Sequence, residues 1–137
     1  MSRSADAFVP CRECTCSALR RASRAVTQHY EQRFRGSGLR GTQFTILAAV
    51  IQAGSIPISK LANMLGVERT TLTRNLQPLE RRKLLTLSGD SDGRVRQVEI
   101  TPAGEALARK LLPRWKQAQA SVGEVLARFK LSGAAKG

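Results

Sequence analysis

The pattern of apolar and polar positions is clearest between residues 58 and 84. Ile58, Leu61, Ala62 and Leu65 recur at the spacing of a single helical face. Gly66 follows at once and supplies the left-handed backbone that ends a helix at low cost. Val67 leads into a second helix whose apolar stripe is Leu72, Leu76 and Leu79. Its opposite side shows Thr70, Arg74, Gln77 and Arg81, flanked by Thr71 and Thr73. Glu68 and Glu80 are expected toward the buried side or at the edges of that face. Pro78 removes the backbone donor to Arg74 and costs about 3 kcal/mol in a regular interior. The Leu stripe spans the proline, so the helix is retained with a bend.

The same period organises the flanks. Residues 1–10 are polar and aperiodic, which predicts a frayed leader. A helix is expected from Cys11 to about Phe34, with Leu19, Ala22, Val26, Tyr30 and Phe34 on one side and Arg20, Arg21, Arg24 and Arg33 over much of the rest. Gly36-Ser37-Gly38 breaks it. Phe44, Leu47, Ala48 and Ile51 mark a second amphipathic helix, opened near Gly41-Thr42 and closed by Gly54. Ser55-Ile56-Pro57 is a short extended connector.

Residues 84–87 and 95–100 alternate as strands around the turn-forming cluster Ser88-Gly89-Asp90-Ser91-Asp92-Gly93. Thr101-Pro102 then opens a long helix, Thr as cap and Pro in the first turn. Apolar character continues from Leu107 to Phe129, with a kink or break expected at Pro113. The fold class is mostly α with a small β-hairpin wing: a winged helix-turn-helix plus a helical dimerisation region. Residues 1–137 form one domain. Its helical region is 11–35 with 102–130, and its DNA-binding part is 41–101.

Composition sharpens the functional reading. The chain carries 23 Lys and Arg against 10 Asp and Glu, a net charge of +13. Such an excess calls for an anionic partner, nucleic acid first and an acidic membrane surface second. No apolar run approaches the roughly 20 residues of a membrane span. No signal-peptide core follows the N-terminus, and a cytoplasmic protein is expected. Three cysteines in a reducing compartment are not expected to form structural disulfides.

The outward face of the second hairpin helix suits the major groove of duplex DNA. Arginine forks guanine there, and threonine meets thymine methyls or phosphates. The candidate contacts are Arg69, Thr70, Thr71, Thr73, Arg74, Gln77 and Arg81. Arg94 and Arg96 on the wing are placed to enter the minor groove or grip phosphate. The plain alternative is a solvated helix beside an inert hairpin. An enzyme is not expected, because one His, no phosphate loop and scattered carboxylates leave no acid/base pair. No cofactor or metal is expected. An RNA- or protein-binding winged helix is the rival, although four Phe, one Tyr and one Trp offer little for base stacking.

Over about residues 14–130 the chain resembles the MarR family of winged-helix transcription regulators. The resemblance rests on Thr42-Gln43-Phe44, Leu61-Ala62 to Leu65-Gly66-Val67, and Thr70-Thr71-Leu72-Thr73-Arg74. Leu79-Glu80-Arg81-Arg82-Lys83-Leu84 follows, with Lys83 where family members usually carry Gly. The wing Asp90-Ser91-Asp92-Gly93-Arg94 and Ile100-Thr101-Pro102-Ala103-Gly104 complete it. It implies a homodimer joined through the N-terminal helix and two C-terminal helices. It also implies a pseudo-palindromic operator and, commonly, repression relieved by a ligand or by oxidation. The linear apolar surface of the C-terminal third independently calls for a partner.

Cys11, Cys14 and Cys16 stand together at the start of the first long helix. Zinc normally takes four ligands and only His29 remains, so a soft metal on three thiolates is the metal reading. A redox sensor is the other, since a helix N-terminus and Arg12, Arg20 and Arg21 favour thiolate. The spacing Cys16, Leu19, Ser23, Thr27, Tyr30 is similar to that in the organic-hydroperoxide-sensing members. That resemblance implies Cys16 as the peroxidatic thiol, with Cys14 and Cys11 within reach. The tyrosines that hold the thiol in that subgroup correspond here to Arg20 and Gly41. The remaining reading is three inert residues near a dimer seam.

Overall fold

The computed structural model describes residues 3–89, 96–129 and 131. In chain order these form α1 (Arg3–Ala7), a 3-10 turn (Val9–Glu13), α2 (Thr15–Phe34), α3 (Gly41–Ala53), β1 (Ser55–Pro57), α4 (Ile58–Leu65), α5 (Arg69–Arg81), β2 (Leu85–Ser88), β3 (Gln97–Ile100) and α6 (Pro102–Leu126). The wing cluster from Asp90 to Arg94 lies outside the described residues.

The hairpin forms as its pattern predicts. Ile58, Leu61 and Ala62 are buried, and so are Leu72, Leu76 and Leu79 on α5. Gly66 closes α4 in the left-handed region at φ 68°, and the Val67 and Gly66 amides bond back to Ala62 and Asn63. The end of α5 repeats this motif with a less suitable residue. Lys83 takes φ 59°, while its amide donates to Glu80 and that of Leu84 donates to Leu79. α5 continues through Pro78.

A three-stranded antiparallel sheet, ordered β1-β3-β2, covers the other side of the hairpin. The connector at residues 55–57 is therefore a strand, with Ile56 opposite Val98, and Val98 in turn opposite Leu87. Val98 is fully buried between them. α3 runs through the middle of the core. Phe44, Ile46, Leu47, Ala49 and Val50 are buried while Ala48 and Ile51 are half-buried, so α3 is covered on more sides than the expected stripe.

α2 lies along α6, joined by side chains reaching across. His29 Nε2 stands 2.9 Å from the Ala118 carbonyl and 3.0 Å from Ser121 Oγ, and the Tyr30 hydroxyl donates to Gln119. Arg114 Nη1 donates to the carbonyls of Arg33 and Arg35, each at 3.1 Å. Thr101 caps α6 as expected: its hydroxyl accepts from the Gly104 amide at 3.0 Å and donates to the Lys83 carbonyl at 2.7 Å.

Three expectations need correction. Of the kink or split expected at Pro113, the split does not occur: α6 is one helix through it. Pro113 is exposed, so the carbonyl it leaves unpaired faces solvent, and buried Leu111 and Ala118 hold the helix on either side. The long first helix begins at Thr15 rather than Cys11, with Cys14 as its cap residue. Within the leader, residues 3–7 and 9–13 form short turns closed by their own backbone bonds, such as Cys11 to Phe8 at 3.0 Å.

Candidate nucleic-acid interface

α5 is held by Leu72, Leu76 and Leu79, each fully buried, and this aims its other side outward. Arg69, Thr70, Thr71, Arg74, Gln77 and Arg81 are all exposed. Thr73 differs. It is half-buried, and its hydroxyl donates to the Arg69 carbonyl at 2.9 Å, so its polar atom is spent on the helix itself. Glu68 and Glu80 are both exposed, not turned inward; Glu68 precedes the first turn of α5 and Glu80 lies near its end.

Among the described residues, no carboxylate pairs with the cations of this face. Among the described residues the ion pairs are Arg40 with Glu31 at 3.5 Å and Arg109 with Glu105 at 3.0 Å. Neither involves α5, so the guanidinium groups of Arg69, Arg74 and Arg81 remain available to phosphates or base edges.

The outer side of α4 belongs to the same surface, which the sequence reading left out. Ser59, Lys60 and Asn63 are exposed and line an open concavity of about 480 Å³ together with Val67 and Arg69. Their phase opposite Leu61 and Ala62 was the signal that could have found them. On the wing, Arg96 is exposed and its carbonyl accepts the Ile58 amide at 3.2 Å, tying the base of the wing to the start of α4. Arg94 lies outside the described residues.

Cys11, Cys14 and Cys16 are free and exposed. The backbone N–H and the hydroxyl of Ser17 hold the Cys14 thiol below the ordinary thiol range, with a smaller contribution from Arg20. Arg20 Nη2 reaches Cys16 Sγ at 3.7 Å. Gly41 does not. It packs on Glu31 and Phe34, about 22 Å along α2 from Cys16 at 1.5 Å per residue. Among the described residues no three His, Cys, Asp or Glu side chains converge on a cation position. His29 is already engaged with α6.

Two adjoining apolar concavities of about 460 and 250 Å³ open between α3, α4 and α6, sharing Phe44, Ala48, Gln52 and Leu112. Met64 and Trp115 line the larger one, and Arg109 stands in the smaller.

A helix-turn-helix with a cationic second helix, followed by an antiparallel wing, defines a winged-helix DNA-binding protein. The model describing the MarR family matches residues 37–95. The chain is 42% identical to the M. tuberculosis transcriptional regulator MosR solved in complex with DNA, covering 80% of each chain with a TM-score of 0.70. It is 30% identical to Bordetella bronchiseptica BpsR, whose DNA binding is regulated by 6-hydroxynicotinic acid, over 76% of this chain and 80% of that one, with a TM-score of 0.69. It is 26% identical over 96 residues to the Bacillus subtilis transcriptional regulator MhqR, covering 69% of this chain. The match spans just under two thirds of that protein, 66%. The chain belongs to the MarR family of transcriptional regulators. Among the described residues no helix is long and apolar enough to cross a membrane.

Proposed function

We propose that the protein is a homodimeric repressor of a pseudo-palindromic operator, reading DNA with α5 and gripping the flanking backbone with α4 and the wing. The observation carrying this reading is the outward face of α5, where Arg69, Arg74 and Arg81 stand exposed without ion-pair partners among the described residues. Arg74 and Gln77 are the base-reading side chains. Arg69, Thr70, Thr71, Lys60, Arg94 and Arg96 bind phosphate or groove edges, and Arg81 closes the face. Dimerisation is supported by apolar surface left open on the helical region: Leu19 is 49% exposed and Leu126 41%. A two-fold pair would place two recognition helices about 34 Å apart, one turn of duplex.

Control is assigned to the cysteine cluster. A thiolate at Cys16 or Cys14 attacks the O–O bond of a peroxide, giving a sulfenic acid and releasing water or an alcohol. A neighbouring thiol then condenses with it, losing water to form a disulfide. Joining two of these cysteines would unwind the start of α2 and shift the helical region that sets the separation of the recognition helices. The apolar crevice between α3, α4 and α6 favours a second reading, release by a small aromatic ligand.

The test is operator affinity for wild type, Cys16→Ser and Cys14→Ser, each with and without peroxide. Loss of wild-type binding that either serine variant prevents is the expected result. Wild-type binding that survives peroxide while the thiols are oxidised would assign control to the crevice. A monomer by sedimentation, without sequence preference among duplexes, would remove the regulator reading altogether.

A further inference from the structure

The charge excess is not concentrated where DNA is read. Residues 41–101 hold eight of the 23 Lys and Arg and five of the 10 Asp and Glu. The remainder of the chain carries fifteen cations against five acids. Most of the +13 therefore lies outside residues 41–101. Like charges gathered on a folded surface repel one another, and an unneutralised excess of this size disfavours the compact state unless a polyanion meets it.

Part of that excess is assembled into one place by side chain to backbone bonds. Arg82, just past α5, donates from Nη1 to the Gly38 carbonyl at 2.7 Å. Arg114, midway along α6, donates to the carbonyls of Arg33 and Arg35. Three separate segments thus meet at the turn between α2 and α3. Arg33 and Arg35 belong to the accepting segment and Lys83 follows Arg82 in the chain; Arg35 and Lys83 are exposed, Arg33 half-buried, and none of these five cations is in an ion pair among the described residues. Arg81, exposed at the end of α5, precedes Arg82 directly in the chain. The carboxylates nearby are Glu31, which accepts the Thr42 amide and pairs with Arg40, and exposed Glu80.

A concavity of about 290 Å³ opens in the turn, with Arg35, Arg40 and the backbone of Gly36 and Gly38 among its lining. Added Cβ atoms at Gly36 and Gly38 would meet nothing closer than 4.0 Å, so this backbone is open to an incoming group.

We propose that this junction is a second DNA-backbone contact: a basic track from Arg81 over the 33–38 turn to Arg114 that binds phosphates of duplex flanking the operator core. The inference rests on the DNA-binding reading above and extends its footprint. Phosphate contacts of this kind carry no sequence information, so the track lengthens and strengthens binding without altering which core is preferred. Arg82 and Arg114 shape the turn, while Arg33, Arg35 and Lys83 present the free charge.

The experiment compares wild type with the combined variant Arg33→Gln, Arg35→Gln, Lys83→Gln on two duplexes. One holds a genomically selected binding sequence in roughly 20 base pairs, enough for two half-sites one turn apart. The other embeds the same sequence in twice that length. Wild type is expected to bind the longer duplex more tightly and with a steeper salt dependence, by about 0.9 in log K against log salt for each added contact. The variant is expected to match wild type on the short duplex and to lose the gain on the long one. An equal gain with length in both proteins, or an equal loss by the variant on both duplexes, overturns the track and leaves the α5 reading standing. Binding of neither duplex by wild type overturns both. Single variants Arg35→Gln and Lys83→Gln, each expected to lose part of the gain, keep the test open should the triple variant unfold.

Discussion

Gly104 and the Leu84 carbonyl approach so closely that a Cβ on residue 104 would stand 1.9 Å from the oxygen. The first turn of α6 is pressed onto the chain where α5 passes into β2, and Thr101 bonds both sides of the same contact. A methyl group there would meet the Leu84 backbone first, with the Ile100 Cδ1 also only 2.9 Å away. Gly104→Ala is expected to destabilise the fold by about 2–3 kcal/mol through forced backbone movement. Thermal unfolding at fixed protein concentration measures it, and a change below 0.5 kcal/mol, an ordinary surface effect, would show that the contact relaxes freely.

Lys83 offers the opposite case. It occupies the left-handed position that closes α5, at φ 59°, where a side chain is strained and glycine is not. Lys83→Gly is expected to raise stability by about 1 kcal/mol while weakening binding to long duplexes through loss of its charge. A fall in melting temperature would count against both the strain and the motif.

Arg74 and Thr73 are adjacent but differ in what they can offer DNA. Arg74→Ala removes an exposed fork and is expected to cost about 1–3 kcal/mol of operator binding, relaxing preference at one base pair. Thr73→Ala removes a hydroxyl already donated to Arg69, and its effect on affinity is expected to stay near 0.5 kcal/mol. Equal, sequence-blind losses at the two sites would mean that α5 does not enter the groove in this orientation.

Ser17 beside Cys14 makes the thiol's reactivity pH-dependent in a defined sense. The folded chain stabilises the thiolate, so Cys14 ionises at lower pH folded than unfolded. Alkylation by iodoacetamide, followed residue by residue by mass spectrometry, should show a Cys14 midpoint below that of the denatured chain. Because the backbone N–H of Ser17 acts alongside its hydroxyl, Ser17→Ala should move the midpoint part of the way back up. Identical folded and unfolded profiles would remove this role of Ser17.

The winged helix-turn-helix was legible because its determinants are local. Leucines at helical spacing, Gly66 at a left-handed stop and Thr101-Pro102 at a helix start act within a few residues of themselves. The apolar stripe of α5 defines its outward face, so Arg74, Gln77 and Arg81 followed from periodicity alone. Other features depend on which segments meet. Whether Pro113 breaks a helix is decided by Leu111 and Ala118 packing on either side of it, and whether residues 55–57 form a strand by the arrival of Val98. Thr73 looks like Thr70 in sequence, and only the helix geometry shows its hydroxyl already spent. Arg20 and Cys16 were near neighbours in sequence, but their 3.7 Å approach comes from side-chain placement on α2. The junction of Arg82, Arg114 and the 33–38 turn gathers residues about 80 positions apart, and no pattern along the chain records a contact of that range.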